Sequence, residues 1–411
     1  MQTSDSRLPL LDYCRFVAAS SVLSFHYFWN GIANQKITSL DHVDALTAWA
    51  RYGYLGVELF FMISGYVIFM SARRRSTSQF IVGRATRLYP AYLVAMLITT
   101  CFALWLGSGE TRVNLRQVLG NIAFYQPWHH QRFVDGVYWT LMIEVKFYVA
   151  VAVLIAIGGQ RYFDAVFKLW PMLMLVAFAL GHGAWDDPEK GSFALLGGYY
   201  AFFASGALFA IIRDRPSIWA NVSLAISTAL GIRFCVAIVA AHGTPAETIV
   251  TAAILCSFTL MFFVVNWSAG GRVTSLPAAS LLGALTYPLY LVHAHIGYML
   301  LSRFGSTQHR FLSYALTIGF VFLLAWAIHE IVEVRWAGFW RDCFGRIVGI
   351  AERPFDYLAR VLAQWRGRGI EATSEAREQA RPVQGHDSAA FEDQAPRVPA
   401  LKPSVPFNMD N

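Results

Sequence analysis

An arginine and a histidine lie eleven residues apart in the first apolar stretch of the chain, which reads RFVAASSVLSFH from Arg15 to His26. Eleven residues of α-helix make about three turns, so both side chains lie on one face, roughly 16 Å apart along the axis. Histidine is the side chain best suited to general-base catalysis near neutral pH. Alone, Arg15 is typical of an interfacial anchor and His26 of helix packing. Their shared face favours a functional pair.

Two carboxylates occur in apolar segments, where an ionisable side chain indicates function. Glu58 lies in GVELFFMISGY, at a depth expected to match that of His26. There a carboxylate could fix the imidazole tautomer, although a position in the headgroup region is the alternative. Glu144 lies in YWTLMIEVKFY with Lys146 two residues away, a spacing that does not let the two side chains face each other on a helix. Glu144 therefore needs a partner from another helix or from a substrate.

Five arginines are concentrated in RRRSTSQFIVGRATRLYPAY, from Arg73 to Tyr92, and Arg75 closes the first cluster. Arg84 and Arg87 are three residues apart and form a fork on one helix face. Guanidinium pairs match the geometry of phosphate oxygens, so a phosphate-bearing ligand from the cytoplasm is one interpretation. The other interpretation is that these arginines contact lipid headgroups or act as positive-inside anchors.

A polar stripe follows from LTYPLYLVHAHIGY, where Thr286, Tyr290 and His293 are spaced four and three residues apart. This spacing places them on one helix face, and we interpret them as the lining of a cavity, with helix packing as the alternative. His293 and His295 lie on different faces, so a metal pair is not expected. The candidate substrate-binding residues are Tyr138, Trp139, Tyr290 and His293.

The elements that must position these residues are membrane helices. Of 411 residues 56% are hydrophobic and only 14% are charged, against about 25% in soluble domains. Apolar segments long enough for a bilayer of about 30 Å recur along the chain. They predict an all-α integral membrane protein with about ten transmembrane helices in one bundle, near 9–29, 53–71, 86–107, 138–158, 165–181, 192–212, 218–241, 247–267, 280–302 and 311–334.

The distribution of arginine predicts that both termini lie in the cytoplasm, because the densest cluster falls in a short inner loop. We expect three parts: a transmembrane domain over 1–335, an interfacial amphipathic segment over 336–366, and a disordered cytoplasmic tail over 367–411. The net charge of +7 reflects arginines beside apolar runs, so the lipid bilayer is the expected partner and nucleic acid is not.

Several classes of site are excluded by the sequence. The five cysteines are scattered without a CxxC pair, so neither a zinc site nor a disulfide framework is indicated, and no metal is expected. Glycine-rich phosphate loops, HExxH and GxSxG motifs are absent.

Together these motifs resemble the membrane acyltransferase-3 family, the bacterial O-acyltransferases of surface sugars. The resemblance covers residues 7–335 and is carried by five motifs in the family's order: Arg15-x10-His26, GVELFFMISGYVI, FIVGRATRLYPAY, VYWTLMIEVKFY and LGALTYPLYLVH. Two departures are Lys146, where the pattern more often has an uncharged or acidic residue, and Glu333-Val-Arg, where Glu-x-Pro is more usual.

The resemblance implies a multi-pass protein of the bacterial inner membrane that transfers an acyl group to a carbohydrate hydroxyl. The donor would be acyl-CoA from the cytoplasm, most often acetyl-CoA as a co-substrate, with no tightly bound cofactor. Its phosphates would bind near Arg15, Arg75, Arg84 and Arg87. His26 would act as general base or acyl relay, oriented by Glu58 or Glu144. A transporter or flippase of a lipid-linked sugar, using the same polar face, is the alternative, and a membrane sensor is a third hypothesis.

Overall fold

The computed structural model describes residues 8–122, 132–182, 195–268 and 276–350, and within these ranges every regular element is helical. The predicted tail, over 367–411, lies outside the described residues. The helices are α1 (Pro9–Phe25), α2 (Gly31–Ala33), α3 (Asp44–Ala50), α4 (Gly56–Ala72), α5 (Thr77–Leu106), α6 (Leu115–Ile122), α7 (Trp139–Ala156), α8 (Phe163–Ala179), α9 (Tyr200–Asp214), α10 (Ile218–His242), α11 (Pro245–Ser268), α12 (Ala279–Val292), α13 (Ala294–Phe304), α14 (Arg310–Ile328) and α15 (337–350).

Within the described residues each of the ten predicted apolar segments contains helix, which confirms the all-α fold class. In the part of the chain that the structure describes, seven helices are long and apolar enough to cross a membrane by length and composition. The other three predicted segments correspond to α1, to α9, and to α12 with α13, which are shorter. The number of crossings and the side of each terminus stay predictions.

Helices α4 and α9 form the centre of the bundle and touch backbone to backbone. A Cβ added at Gly65 would lie 2.0 Å from the Phe203 carbonyl oxygen, and one at Gly206 would lie 1.8 Å from the Met62 carbonyl oxygen. Between lipid-embedded helices, close packing of small residues replaces the hydrophobic effect as the main source of association. Gly65 and Gly206 allow this approach because neither carries a side chain that would collide with the facing backbone.

Peripheral helices have the opposite character. The apolar window of α11 is only 22% buried, against 72% for the window that contains α4. Large apolar side chains such as Leu316 and Leu323 on α14 point outward with 66% and 60% exposure. An outer surface of this kind suits lipid contact, because lipid-facing side chains need no polar partner.

Three local departures from regular helix position the site. Helix α1 continues into a π-helical turn, His26–Asn30, in which the Gly31 N–H donates to the His26 carbonyl five residues earlier. A second π-helical stretch, His329–Arg335, follows α14. The predicted segment 280–302 is two helices, because the regular pattern breaks at His293 between α12 and α13.

Helix α5 begins nine residues before the predicted boundary at 86. Ser76 caps it reciprocally: the Gln79 N–H donates to Ser76 Oγ at 3.3 Å, and the Ser76 N–H donates to Gln79 Oε1 at 3.1 Å. Arg84 and Arg87 therefore lie on a continuous helix of 30 residues, which fixes their relative orientation.

Candidate active site

Two cavities adjoin each other: the inner one lies between α1, α4, α5, α7 and α12, and the outer one between α1, α5, α12 and the stretch from His329 to Arg341. With the open solvent at their mouths included, the space in the outer cavity is about 1760 Å³ and that in the inner cavity about 880 Å³. Both are lined by Arg15, Arg84, Arg87, Gly283 and Tyr287, so one continuous surface joins them.

Arginine dominates the outer cavity. Its lining includes Arg15, Arg75, Arg84, Arg87 and Arg341, against the carboxylates of Asp12 and Glu333. Both carboxylates are already engaged: Asp12 Oδ1 accepts from Arg15 at 3.1 Å, and Glu333 Oε2 is 2.7 Å from His329 Nδ1. The four arginines predicted to bind the phosphates thus lie around one cavity.

Three buried polar atoms near this cavity have no hydrogen-bond partner among the described residues: Arg84 Nε, Thr86 Oγ1 and Trp340 Nε1. Unsatisfied buried polar groups are costly, and a ligand is one way to satisfy them. Trp340 lies in the predicted interfacial segment, on α15, so part of that segment lines the cavity. The sequence gives no separate signal for Thr86 or Trp340.

The inner cavity is narrower and carries Glu144 on its wall. Glu144 Oε1 accepts hydrogen bonds from Ser64 on α4 and from Tyr148 one turn further along α7. Ser64 is the partner from another helix that the sequence requires, and Tyr148 is a second partner on the same helix. The cavity ends at Tyr290, whose hydroxyl bonds to Thr140 Oγ1 at 2.9 Å, as the predicted Thr286–Tyr290 stripe implies.

His26 lies one residue layer beyond this end and is not among the lining residues of either cavity. The His293 ring is 5.6 Å from the Tyr290 ring, and the His26 ring is 5.1 Å from the His293 ring, measured between centroids. Arg15 and His26 both face the α12–α13 pair, which agrees with the shared helix face.

The expected pairing of His26 with a carboxylate is not present among the described contacts. His26 Nδ1 instead shares a hydrogen bond with the Tyr298 hydroxyl on α13. Glu58 is buried on another side of α4, where Cys235 Sγ lies 3.7 Å from its Oε1. A contact between Glu58 and His26 was predicted because the two residues lie at similar depth. Depth alone, however, does not determine the rotation of α4 about its axis, and so does not determine which helix Glu58 faces.

Two of the four predicted substrate-binding residues lie away from the cavities. The Tyr138 side chain is fully buried, and its hydroxyl donates to the Leu291 carbonyl at 3.2 Å. The Trp139 ring packs 5.1 Å from the Tyr199 ring. Of the other two, Tyr290 lines the inner end of the cavity, whereas His293 lies behind Tyr290 and lines neither cavity.

Residues that the sequence analysis missed hold the histidines in place. Asp135 is completely buried, and its Oδ2 accepts the His295 backbone N–H at 2.9 Å. His295 Nδ1 donates to the Val134 carbonyl at 2.9 Å, and its Nε2 accepts from Gly136 at 3.3 Å. These three hydrogen bonds hold the segment before α7 against the start of α13, next to His293.

Apolar helices around an arginine-lined cavity that leads toward His293 and His26 define a helical membrane protein with a candidate site between its helices. The chain belongs to the acyltransferase-3 family, because the profile described as "Acyltransferase domain" matches residues 8–330. It is therefore an acyltransferase, as the resemblance in its motifs predicts.

Two curated relatives are similar to parts of the chain. One is the exopolysaccharide production protein ExoZ of Rhizobium meliloti, 26% identical over 252 residues, which cover 59% of this chain and 75% of ExoZ. The other is the acyltransferase MdmB of Streptomyces mycarofaciens, 36% identical over 95 residues, which cover 22% of this chain and 23% of MdmB. No solved structure matches the chain.

Proposed function

We propose that this acyltransferase moves an acyl group, acetyl in the simplest case, from acyl-CoA to a hydroxyl of a cell-surface or secreted carbohydrate. The observation that carries the proposal is the outer cavity, in which five arginines outnumber two carboxylates, of which Asp12 pairs with Arg15 and Glu333 with His329. Coenzyme A is strongly anionic, and guanidinium groups bind phosphate through charge-assisted hydrogen bonds. The unpartnered Arg84 Nε and Thr86 Oγ1 would bond to its phosphates.

The inner cavity suits the rest of the donor. It is narrower and lined largely by apolar side chains, as the uncharged pantetheine arm requires, and it points toward Tyr290. Movement of Tyr290 would let the thioester reach His26 and His293. The hydroxyl proton then passes to an imidazole of this pair, the hydroxyl oxygen forms the new bond to the acyl carbon, and the CoA thiolate leaves.

The carbohydrate acceptor rests on the name of one relative, which links ExoZ to exopolysaccharide production. We place the donor on the cytoplasmic side of a bacterial inner membrane, because acyl-CoA is made in the cytoplasm. Lipid-linked sugar transport, the alternative from sequence, is less well supported, because the family is one of acyltransferases.

The test compares acyl groups on surface and secreted glycans, by proton NMR, from cells that express the wild type, His26→Ala or His309→Ala. His309 is exposed in the 3-10 turn Thr307–His309 directly before α14 and is the matched control. We expect acetyl signals with the wild type and His309→Ala, and none with His26→Ala at equal membrane levels. Wild-type cells without any added acyl signal would contradict the proposed acceptor.

A further inference from the structure

The hydrogen bonds of His293 fix which of its ring nitrogens carries the proton. Nδ1 lies 2.9 Å from the Tyr290 carbonyl oxygen and 3.2 Å from that of Leu289. A carbonyl only accepts, so Nδ1 is the donor and Nε2 of the neutral ring holds a lone pair. His293 is 1% exposed, and Nε2 has no partner among the described residues. The buried, neutral imidazole of His293 therefore has a free lone pair on Nε2 that can accept a proton from a bound group.

His26 has the opposite polarity. The Asn34 Nδ2 donates to Asn30 Oδ1 at 2.8 Å, so the Asn30 amide turns its nitrogen toward Tyr298 and donates to its oxygen at 2.7 Å. The single proton of the Tyr298 hydroxyl is then directed to His26 Nδ1. With Nδ1 accepting, the neutral His26 ring carries its proton on Nε2 and is a donor there.

The two rings are close enough to act on one reacting group. Their centroids are 5.1 Å apart and their planes are inclined by 64°. The π-helical turn helps to hold this arrangement, because it brings His26 and Asn30 to the same Tyr298 hydroxyl. His295 has no comparable free nitrogen, since both its ring nitrogens are engaged.

We propose that His293 is the general base of the transfer, and that His26 is a hydrogen-bond donor to the acyl carbonyl, held in its tautomer by Tyr298 and Asn30. This inference rests on the proposed function and assigns a different catalytic role to each of the two histidines. It replaces the expectation that His26 is itself the base or the acyl relay.

The step balances with these groups alone. The acceptor hydroxyl gives its proton to His293 Nε2 while its oxygen bonds to the thioester carbon. His26 Nε2–H stabilises the negative charge on the carbonyl oxygen. When the carbon–sulfur bond breaks, the thiolate of CoA takes the proton from His293, which returns to its neutral form.

Glutamine distinguishes the two roles, because its amide can donate a hydrogen bond but cannot act as a base at neutral pH. Acyl transfer from radiolabelled acetyl-CoA to isolated glycan acceptor is measured for His26→Ala, His26→Gln, His293→Ala and His293→Gln in membranes with equal protein content. Loss of an oxyanion donor lowers the rate about 10²–10³-fold, and loss of a general base about 10²–10⁴-fold.

We expect His26→Gln to recover at least about tenfold over His26→Ala, and His293→Gln to be as inactive as His293→Ala. The reverse pattern, with His26→Gln inactive and His293→Gln active, would make His26 the base or nucleophile and overturn the inference. Equal recovery of the transfer rate in His26→Gln and His293→Gln, each relative to its alanine variant, would also contradict the assignment of different roles to the two histidines. A wild type that transfers nothing would refute the proposed function instead.

Tyr298→Phe provides the second measurement, as Tyr298 is a positioning residue that acts through His26. It should lower kcat about tenfold in the wild type and have little further effect in His26→Ala, because residues of one network are not additive. An equal loss in both backgrounds would show a purely structural role for the hydroxyl.

Discussion

The guanidinium carbon of Arg84 lies 5.9 Å from the centroid of the Tyr148 ring. The ring thus supports one side of an arginine whose Nε is buried and unpartnered at the wall shared by both cavities. A group held in this way is preorganised, so little conformational freedom is lost when an anion binds.

We therefore expect Arg84→Ala to raise the KM for acyl-CoA about 10–100-fold, since a charge-assisted hydrogen bond is worth about 1.5–3 kcal/mol. The KM of Arg84→Lys should lie between those of the wild type and Arg84→Ala, because lysine keeps the charge and loses the planar fork of the guanidinium group. Steady-state kinetics with varied acyl-CoA measures this, with the exposed Arg116→Ala on α6 as control. An unchanged KM in Arg84→Ala would exclude Arg84 from donor binding.

Glu144 is predicted to stabilise the inner cavity as a hydrogen-bond acceptor. Glu144→Gln retains an oxygen for Ser64 and Tyr148, so we expect transfer within about tenfold of wild type, whereas Glu144→Ala leaves both hydroxyls without this acceptor and should cost about 1–3 kcal/mol of stability. Thermal unfolding in detergent and transfer rates test the two variants, with Glu330→Ala, a partly exposed carboxylate paired with Arg335, as control. A stable but inactive Glu144→Gln would instead assign the carboxylate a direct role in the chemistry.

Gly283 is predicted to tolerate no larger residue, because α12 passes directly over Asp12 of α1. A Cβ at Gly283 would lie 2.5 Å from Asp12 Oδ1 and 2.7 Å from Asp12 Cβ. Gly283→Ala should lower stability by about 1–3 kcal/mol and raise the KM for acyl-CoA, since Asp12 holds Arg15.

Gly319→Ala on α14 is the matched control for this substitution. A Cβ there meets nothing within 4 Å, so alanine should be neutral or stabilising by up to about 1 kcal/mol. Detergent melting curves that fall equally for both variants would show that the contact with Asp12 is not the cause.

Tyr290 is predicted to separate bound thioester from the histidine pair until an acceptor is present. Tyr290→Ala would remove both the ring and the bond to Thr140, whereas Tyr290→Phe keeps the ring. We expect Tyr290→Ala to release free CoA thiol several-fold faster than wild type without acceptor, because water then reaches the thioester. Thiol release measured with a chromogenic disulfide tests this, and an unchanged background rate in Tyr290→Ala would refute the separating role.

The sequence predicted what depends on local periodicity. The helices, the fork of Arg84 and Arg87, and the shared face of Arg15 and His26 follow from spacing along one segment. The contact of His26 with Tyr298 joins residues 272 positions apart, and no periodic signal reports it. Asn30 and Asn34, four and eight residues after His26, were the available hint.

The position of Glu58 shows the same limit. Its depth followed from hydropathy, but its partner Cys235 lies 177 residues away on α10. Which face of α4 meets α1 and which meets α10 is decided by packing, such as the backbone contact of Gly65 with α9. Rotation of a helix about its axis therefore has to be read from tertiary structure.

The π-helical turn at His26–Asn30 gives the site an unusual evolutionary property. Such a turn contains one residue more than an α-helical turn. The chain on either side is fixed independently, by the Tyr13 hydroxyl on the Pro277 carbonyl before it and by Ser302 on the Lys36 carbonyl after it. Deletion of one residue within the turn would thus leave an ordinary α-helical turn in its place. The position of His26 relative to Tyr298 would change at the same time. A lineage could gain or abandon this chemistry in one step and keep its membrane fold.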